Sequence, residues 1–502
     1  MINLESVTKK IAKAAGIIVL TIFTSQCFAQ SQSETAKNGA KRGRQYTEMV
    51  GALMDFIQQY YVDEVDAETL YKGALKGMFE SLNDPYSLYL DSEAMRSLSD
   101  TTEGSFGGVG LYISKSFEST SDKPAYVEVT SPMEDTPGFR AGIQPGDLII
   151  SVEGIDTSTI TMEEVLDKLR GPVGEEVHIV IRRGQNMEFP VTLTRALIEV
   201  PVVKYGIIPV GQKTKLGYMR LIQFTPQTVE HTQEAIDSFK AEGVSGVIID
   251  LRNNPGGLIT SVADIADKFI DSGPIVSTKS RIEYQNQVFT ASPKNTTFMK
   301  GTPIVVLINK GSASASEILS GALKDYHLAY LVGQRTYGKG SVQTVWPFSK
   351  TEGVKMTIAR YYTPSDVNID KIGIPPDREI LFPVLSEDGE KQYLELMKAD
   401  EISKYVASHA GMSEDDISSY AKDLKKKYPS IDDASLRKLV RNEVNRTKGA
   451  MLYDLDYDVQ LNEAINILTK ENFQKLVKKT KTLKELQDAA LLAESKDSKD
   501  KK

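Results

Sequence analysis

Three short apolar runs in the second half of the chain most constrain its fold. They read GVIIDL at 246–251, PIVVLIN at 303–309 and AYLVGQ at 329–334. Each run is apolar at almost every position and is followed by a turn, which is typical of strands buried on both faces. Helical spacings of apolar residues occur at 228–240 and 262–270. Residues 198–383 are therefore predicted to form an α/β domain.

A second, β-rich domain is predicted upstream, where glycines interrupt short alternating strands. The strand candidates are GGVGLYIS, AYVEVTS, DLIISVEG and EVHIVIRRG, all between 107 and 184. The stretch 161–170 has helical spacing, with Val165, Leu166 and Leu169 on its inner side. We assign residues 104–197 to this domain.

Helical segments are predicted on both sides of these domains. In residues 46–103, apolar side chains recur three and four positions apart, as in Met49, Leu53 and Phe56. Residues 384–502 are helical and charged, and they end in the polar tail AESKDSKDKK. Neither segment carries a recognisable chemical motif.

The first 29 residues are predicted to be a secretory signal peptide. Lysines precede the apolar stretch AAGIIVLTIFTS, and Ala29 provides a small residue for cleavage. An uncleaved N-terminal anchor is the alternative, whereas a lipoprotein cut before Cys27 is disfavoured because Gln26 is bulky. Cys27 is the single cysteine, so cleavage would leave a chain without disulfides. Residues 30–45 are polar, and we expect a disordered leader.

The charge of the chain excludes one class of partner. The formal net charge is -8, whereas a nucleic-acid backbone demands a basic surface. Only four histidines are present, and they are not clustered. No nucleic acid, metal or organic cofactor is therefore expected.

Three alternating serines follow the second apolar run in NKGSASASEILSGALKDYH, residues 309–327. A serine in the turn between a strand and a helix is exposed, and the next backbone N–H lies at the helix N-terminus, where it favours an oxyanion. Ser314, followed by Ala315, fits this role best. Ser312 lies too early in the turn, and we expect Ser316 to cap the helix. The alternative is that all three serines are ordinary turn and capping residues.

The base for such a serine is predicted to be a lysine. His327 would lie about 20 Å away, across a helix. Lys339 lies between two glycines in TYGKGSVQ, and burial can lower a lysine pKa from about 10.4 toward neutrality. Gln343 is a candidate to hold the amine, provided that the chain bends at the glycines. An ordinary loop lysine is the alternative.

A third motif, DLRNNPGGL at 250–258, follows the first apolar run. Asn-Pro-Gly-Gly forms a tight turn. Its glycines also present backbone N–H groups without side chains, and Gly257 is our candidate for the second half of an oxyanion hole.

Taken together, these motifs resemble those of the carboxyl-terminal processing peptidases, the tail-specific serine proteases of family S41. The shared stretches, in order, are YVDEVDAETLYKGALKGMFESLNDPYSLYL, GGVG, AGIQPGDLIISVEG, DLRNNPGG, NKGSASASEILSGALKD, GQRTYGKGSVQ, RYYTPS and GIPPD. The resemblance implies a multidomain α/β fold, with a crotonase-like protease core, an inserted β-rich PDZ domain and helical N- and C-terminal segments.

The same resemblance implies the roles of the site residues. Ser314 would be the nucleophile, Lys339 the general base and Gln343 its orienting partner. The N–H groups of Ala315 and of a glycine in the Asn-Pro-Gly-Gly turn would bind the oxyanion. Lys339 follows Ser314 by 25 residues and Gln343 follows by four more, which matches the family pattern.

The β-rich domain resembles the family's PDZ domain, which binds a free C-terminus as an added strand with the carboxylate held by backbone N–H groups. The resemblance places the carboxylate loop at Gly108, Val109, Gly110 and Leu111. Arg170 is a candidate charged contact, although a solvated arginine at a helix end is equally consistent with the sequence.

The leading hypothesis is an exported serine endopeptidase that cleaves proteins near their C-termini, periplasmic or envelope-associated in a bacterium. Its partners would be proteins or peptides with free C-termini, with an adaptor or self-association through the helical ends as further options. One alternative is a catalytically inactive PDZ peptide-binding scaffold. Another is a serine esterase or amidase that uses His231 or His327.

Overall fold

The computed structural model describes a defined set of residues in two compact units. These are residues 43–92, 94–95, 98, 105–115, 124–133, 136–144, 146–184, 187–199, 201–349, 351–382, 385–409, 411–445 and 452–500. The units are Met1–Tyr89 and Leu90–Lys502. The predicted signal peptide and most of the predicted leader lie outside the described residues. Within these residues, no helix combines the length and apolar character needed to cross a membrane.

The first unit contains the two helices that the sequence predicts. They are α1 (43–60) and α2 (Ala67–Glu80), and strand β1 (Leu88–Leu90) begins at the end of this unit. Many apolar side chains of α1 are exposed, including Met49, Leu53 and Phe56. The periodicity of this segment therefore predicts helices correctly, but α1 presents an uncovered apolar stripe.

The β-rich domain follows at the start of the second unit. Its strands are β2 (Ser105–Gly108), β3 (Leu111–Lys115), β4 (Val127–Pro132), β5 (Leu148–Val152), β6 (Ile155–Asp156), β7 (Glu176–Arg183), β8 (Met187–Thr194) and β9 (Ala196–Glu199). Its helices are α3 (Pro137–Arg140) and α4 (Met162–Leu169). The main sheet has the order β3-β4-β5-β7-β8, which leaves β3 at one end, and β2 pairs with β9.

The core of this domain explains why α4 forms. Val165 and Leu169 are buried against the sheet, as their spacing predicts. Thr161 and Glu164 form a capping box that satisfies the first N–H groups of the helix. The prediction of one strand through GGVGLYIS is wrong, because Gly110 has φ +71 and the chain is divided into β2 and β3.

The central sheet of the second unit has the order β10-β11-β12-β15-β16-β19. These strands are β10 (Val203–Val210), β11 (Thr214–Leu221), β12 (Gly246–Asp250), β15 (Ile304–Ile308), β16 (Ala329–Gly333) and β19 (Arg378–Glu379). In this sheet β11, β12, β15, β16 and β19 are parallel, and β10 runs antiparallel to β11. Every residue of β12, β15 and β16 is buried, as the three apolar runs predict.

Helices cover both faces of this sheet. On one face, α5 (Pro226–Glu242), α6 (Ile259–Asp267) and α7 (Ala315–Asp325) pack on Ile249, Val306 and Leu331. A further antiparallel sheet contains β13 (Gly273–Ser280), β14 (Gln287–Ala291), β17 (Ser341–Pro347) and β18 (Gly353–Tyr362). In it, β18 pairs with β13 and β17, and β13 pairs with β14.

The predicted C-terminal segment has two structural parts. Helices α8 (Glu387–Ala399), α9 (Glu401–Ser408), α10 (Glu414–Lys427) and α11 (Asp433–Val444) share a core of their own. They are followed by α12 (Val459–Lys470), α13 (Phe473–Val477) and α14 (Leu483–Asp500). Residues of α12 and α13 cover the second face of the central sheet, where they pack on Ile248, Val305 and Tyr330. This last part thus belongs to the core built around the central sheet.

Candidate active site

Three loops at the carboxyl edge of the central sheet carry the predicted site residues. Since β12, β15 and β16 are parallel neighbours, their carboxyl ends lie at the same edge. The loop after β12 contains Gly257, the loop after β15 contains Ser314, and the loop after β16 contains Lys339. The order of the strands in the sheet therefore brings together motifs that are far apart in the sequence.

Ser314 lies in a strained turn between β15 and α7. Its φ of +55° and ψ of −114° lie outside the regions that ordinary side chains prefer. Such strain costs about 1–3 kcal/mol and persists only where the surroundings enforce it. The side chain is half-buried at the N-terminus of α7. The turn therefore holds Ser314 directly before the first N–H group of the helix, that of Ala315.

The other two serines have structural contacts. The Ser312 hydroxyl donates to the carbonyl oxygen of Leu251 at 2.8 Å, and both partners are buried. The Ser316 hydroxyl donates to the carbonyl oxygen of Asn254 at 2.9 Å. The prediction that Ser316 caps the helix is wrong, because α7 begins at Ala315 and Ser314 occupies the capping position. Both contacts instead attach the serine loop to the loop after β12.

Two backbone N–H groups, one at the start of α7 and one in the turn after β12, remain available as donors. Within the described part of the chain, neither the Ala315 N–H nor the Gly257 N–H donates to a protein acceptor. The Gly256 N–H donates to Asn254 Oδ1 at 2.9 Å. Gly256 has φ +108°, and a Cβ placed on it would lie 2.7 Å from the Ser314 Cβ. The turn thus approaches the serine closely, and of its two glycines Gly257 retains an uncommitted N–H.

Lys339 is half-buried in the loop after β16. The glycines on both sides of it allow a close backbone approach, as the sequence suggests. A Cβ on Gly338 would lie 3.0 Å from the Ile372 nitrogen, and one on Gly340 would lie 2.6 Å from the Asp370 nitrogen. The chain 369–373 therefore packs directly against the lysine loop.

Gln343 lies on β17, immediately after an irregularity in the pairing with β18 between Val342 and Gln343. A bulge of this kind re-aims side chains. The Gln343 amide nitrogen donates to Ser341 Oγ at 2.9 Å and to Thr357 Oγ1 at 3.2 Å. These bonds orient the amide and leave its oxygen as the acceptor.

Glu317 is a site residue that the sequence reasoning missed. Its side chain is fully buried, and its carboxylate accepts the N–H groups of Ser314 at 2.9 Å and Lys339 at 2.9 Å. It also accepts the Gly338 N–H at 2.8 Å and the Thr336 hydroxyl. Burial raises the pKa of Glu317, and the four donors oppose that rise. The pattern Ser-x-x-Glu at 314–317, a capping-box signature, was the signal that could have identified it.

The two histidines considered as alternative bases lie elsewhere. His327 follows the C-terminal end of α7, whose opposite end carries Ser314, and its Nδ1 lies 2.8 Å from Thr480 Oγ1. His231 is exposed on α5 and pairs with Glu234 at 2.9 Å. Their contacts do not support a role beside Ser314. Among the described residues, no three His, Cys, Asp or Glu side chains gather as metal ligands.

The predicted carboxylate loop of the β-rich domain lies at one end of β3. Gly108 is the last residue of β2, Val109 and Gly110 form the connection, and Leu111 begins β3. In the described structure, the N–H groups of Val109 and Gly110 have no protein acceptor. Since β3 is the end strand of its sheet, its outer edge can accept an added strand. Arg170 follows α4, and its guanidinium lies 4.4 Å from the centre of the Phe106 ring.

Comparisons with known proteins agree with these features. Residues 215–380 match peptidase family S41, residues 128–183 match the PDZ domain, and residues 11–94 match the N-terminal domain of the activating protease CtpB. These matches confirm the predicted fold class, an α/β protease core with a PDZ domain and helical termini.

Similar proteins carry consistent names. The chain is 36% identical to a carboxy-terminal-processing protease of Bartonella bacilliformis, over 73% of this chain and 82% of that protein. It is 31% identical to the carboxy-terminal processing protease CtpB of Bacillus subtilis, over 84% of each chain. Among solved structures, the photosystem II D1 C-terminal processing protease is 30% identical and covers 66% of this chain and 92% of its own, with a TM-score of 0.39.

Proposed function

Because the chain belongs to peptidase family S41 and is a serine-type peptidase of the carboxyl-terminal processing group, we propose that it cleaves proteins near their C-termini with Ser314 as nucleophile and Lys339 as general base. The single observation that carries this proposal is the buried Glu317 carboxylate. It accepts the backbone N–H groups of both Ser314 and Lys339 and so holds the two loops side by side.

In the proposed reaction, Ser314 Oγ attacks the carbonyl carbon of the peptide bond while the neutral Lys339 amine takes the hydroxyl proton. The N–H groups of Ala315 and Gly257 donate to the oxyanion. The lysine then gives its proton to the leaving amine, and the C–N bond breaks to leave an ester on Ser314. Water, activated by the same amine, hydrolyses that ester. Gln343 would orient the amine through its amide oxygen.

Replacement of each predicted residue tests this mechanism. The full-length protein and its Ser314→Ala and Lys339→Ala variants would be incubated with a loosely folded protein that has an apolar C-terminus, and the fragments read by intact mass spectrometry. We expect both variants to lose cleavage by about 10³-fold or more while circular dichroism shows that they fold. His231→Ala and His327→Ala serve as controls and should cleave normally. Persistent cleavage by Lys339→Ala would refute the assignment of the base.

We further propose that the PDZ domain captures the substrate C-terminus. The free edge of β3 and the two uncommitted N–H groups of Val109 and Gly110 support this role. The carboxylate would bind at these donors, and Leu111 would begin the pairing with the added strand. Arg170 lies at the end of α4 and would add a positive charge near this site.

We also propose that the protein is exported, on the basis of the apolar stretch before Ala29. Fractionation of cells that produce the full-length chain, followed by mass analysis of the recovered protein, tests this point. We expect the protein in the envelope or periplasmic fraction, with Gln30 as its first residue. An uncleaved chain in the cytoplasmic fraction would refute export.

A further inference from the structure

We propose that Tyr361 is a positioning residue that fixes Lys339 relative to Ser314. This inference rests on the proposed function, because it assigns Tyr361 a part in keeping the proposed nucleophile and base at reacting distance. It concerns a residue of β18, an element with no predicted role in the chemistry.

Tyr361 lies beneath the site, in the main core of the second unit. Its side chain is 1% exposed and packs in the apolar cluster between the central sheet and its helices. Its hydroxyl donates to the carbonyl oxygen of Lys339 and lies 3.3 Å from the carbonyl oxygen of Ser314. One buried phenol thus contacts the backbone of both proposed catalytic residues.

The backbone of Lys339 depends on such contacts for its conformation. A glycine on each side permits a wide range of φ and ψ values, and Gly338 has φ +90°. The Lys339 N–H is held by Glu317 and its carbonyl oxygen by Tyr361. Glu317 therefore holds the peptide group before the Lys339 Cα, and Tyr361 holds the one after it together with Asp370, whose Oδ1 accepts the Gly340 N–H at 3.1 Å.

The backbone of β18 strengthens this arrangement. The Tyr361 N–H donates to the Gly340 carbonyl oxygen at 3.0 Å. Asn368 Nδ2 donates to the carbonyl oxygens of Gly340 at 3.1 Å and Tyr361 at 2.7 Å. The tyrosine is thus attached to the lysine loop at two points, so that its hydroxyl has little freedom to move away from the Lys339 carbonyl.

In this proposal, Tyr361 controls the distance between the Lys339 amine and Ser314 Oγ, and that distance decides the rate of proton transfer. A general base must lie about 2.6–3.2 Å from the atom that gives up the proton. A misplacement of about 1 Å can cost about 10²-fold in rate. Loss of the phenol hydroxyl would also leave the Lys339 carbonyl without this donor, so that the Gly340 N–H bond to Asp370 alone would resist a tilt of this peptide group.

Tyr361→Phe tests the proposal, with Tyr362→Phe as the matched control. Tyr362 is the next residue of β18, and its ring is contacted by the Lys279 ammonium at 4.0 Å. For each full-length variant, kcat and KM on a peptide substrate and the rate of covalent labelling by an organofluorophosphonate would be measured. We expect Tyr361→Phe to lower kcat and the labelling rate about 10- to 100-fold with little change in KM. Tyr362→Phe should behave like the wild type.

Two further variants separate the hydrogen bond from stability. Replacement of Tyr361 by 4-methylphenylalanine keeps the volume of the side chain but removes the donor, and replacement by 4-aminophenylalanine keeps a donor. We expect the 4-methylphenylalanine protein to have a reduced kcat and labelling rate, and the 4-aminophenylalanine protein to recover most of the activity. These two variants test the proposal even if Tyr361→Phe does not fold. Wild-type labelling of the 4-methylphenylalanine protein would overturn the proposal. If Ser314→Ala or Lys339→Ala still cleaved the substrate, the proposed function itself would fail, and the inference with it.

Discussion

Glu317 shows how one buried side chain can organise the candidate active site. Its two oxygens accept four donors from two loops, including the N–H groups of Ser314 and Lys339. The Thr336 hydroxyl and the Gly338 N–H are buried donors, and each would lose its acceptor without this carboxylate, at a cost of about 1–3 kcal/mol. The carboxylate thus favours the geometry in which the loops meet.

We expect Glu317→Gln to lower kcat by about 10- to 100-fold. The amide offers one oxygen and an NH₂ group, so that at least one backbone N–H would face another donor and be displaced. Steady-state kinetics on a peptide substrate measure the effect. Glu234→Gln on the surface of α5 is the control and should leave kcat unchanged. Equal activity of both variants would contradict a positioning role for Glu317.

The pKa of Glu317 also predicts how stability depends on pH. Burial raises this pKa above its ordinary value of 4.5, so that the folded chain holds the proton more tightly than the unfolded chain. Its contribution to the free energy of unfolding is therefore largest below the unfolded pKa and is lost as the pH rises through the folded pKa. We expect the Tm difference between the wild type and Glu317→Gln to decrease as the pH is raised from acid to neutral. A difference that increases with pH would contradict this sign.

Gly256 tests how closely the Asn-Pro-Gly-Gly turn must approach Ser314. Gly256→Ala would place a methyl group 2.7 Å from the Ser314 Cβ at φ +108°. We expect the activity of this variant to fall about 10²-fold or more, since the new methyl group and the Ser314 Cβ both lie in the candidate active site. Gly243→Ala is the control, because that residue has φ +63° but open space around its Cα. The Gly243→Ala variant should lose about 1 kcal/mol of stability and keep its activity. If it lost as much activity as Gly256→Ala, backbone strain alone would explain the loss in both variants.

At the scale of elements, the position of β3 supports the proposed recognition of the substrate tail. An end strand has unpaired backbone groups along its outer edge, and the connection before β3 adds the N–H groups of Val109 and Gly110. These donors suit a carboxylate, which accepts several hydrogen bonds at once. The proposed contact would therefore depend on the chemical state of the substrate terminus.

We expect the full-length Ser314→Ala variant to bind a peptide with a free apolar C-terminus at least about 10-fold more tightly than the same peptide with a C-terminal amide. The amide lacks the negative charge and one acceptor, and a hydrogen bond to a charged group contributes about 1.5–3 kcal/mol. Fluorescence anisotropy of labelled peptides measures both affinities. A peptide of reversed sequence with a free C-terminus is the control for non-specific binding. Equal affinities of the acid and the amide would refute carboxylate capture.

At the scale of the whole molecule, the end of the chain completes the protease core. Leu461, Ala464 and Ile467 are fully buried against the central sheet. Arg252, in the loop that leads to Gly256, forms bonds of 2.6 Å to both Asp250 and Asp458. Asp458 also accepts the Leu461 N–H at 2.9 Å at the start of α12. The C-terminal helices are therefore linked by charge and by packing to the site edge of the sheet.

We expect Ile467→Ala to lower the free energy of unfolding by about 2–4 kcal/mol, because it creates a cavity between α12 and the sheet. Leu491→Ala, at a position that is 57% exposed, should change it by less than about 0.5 kcal/mol. Urea unfolding followed by circular dichroism provides both values. Equal stability of the two variants would show that α12 does not contribute to the core.

The sequence by itself determined the classes of the main elements and the candidate residues of the site. The apolar runs predict β12, β15 and β16 because a strand buried on both faces must be apolar throughout. The glycines beside Lys339 indicate a close backbone approach, and the structure has one. The roles of Ser314, Lys339 and Gln343 stay predictions that the proposed variants test.

Only the tertiary structure decided how these residues are held. Glu317 and Tyr361 act through contacts 22 residues away in the chain, and Arg252 reaches Asp458 across 206 residues. Periodicity reports which face of an element is apolar, but it does not report which loops meet or which buried donor faces which acceptor. Those pairings follow from the order of strands in the sheet, because a hydrogen bond forms between neighbours in space, whatever their separation in sequence.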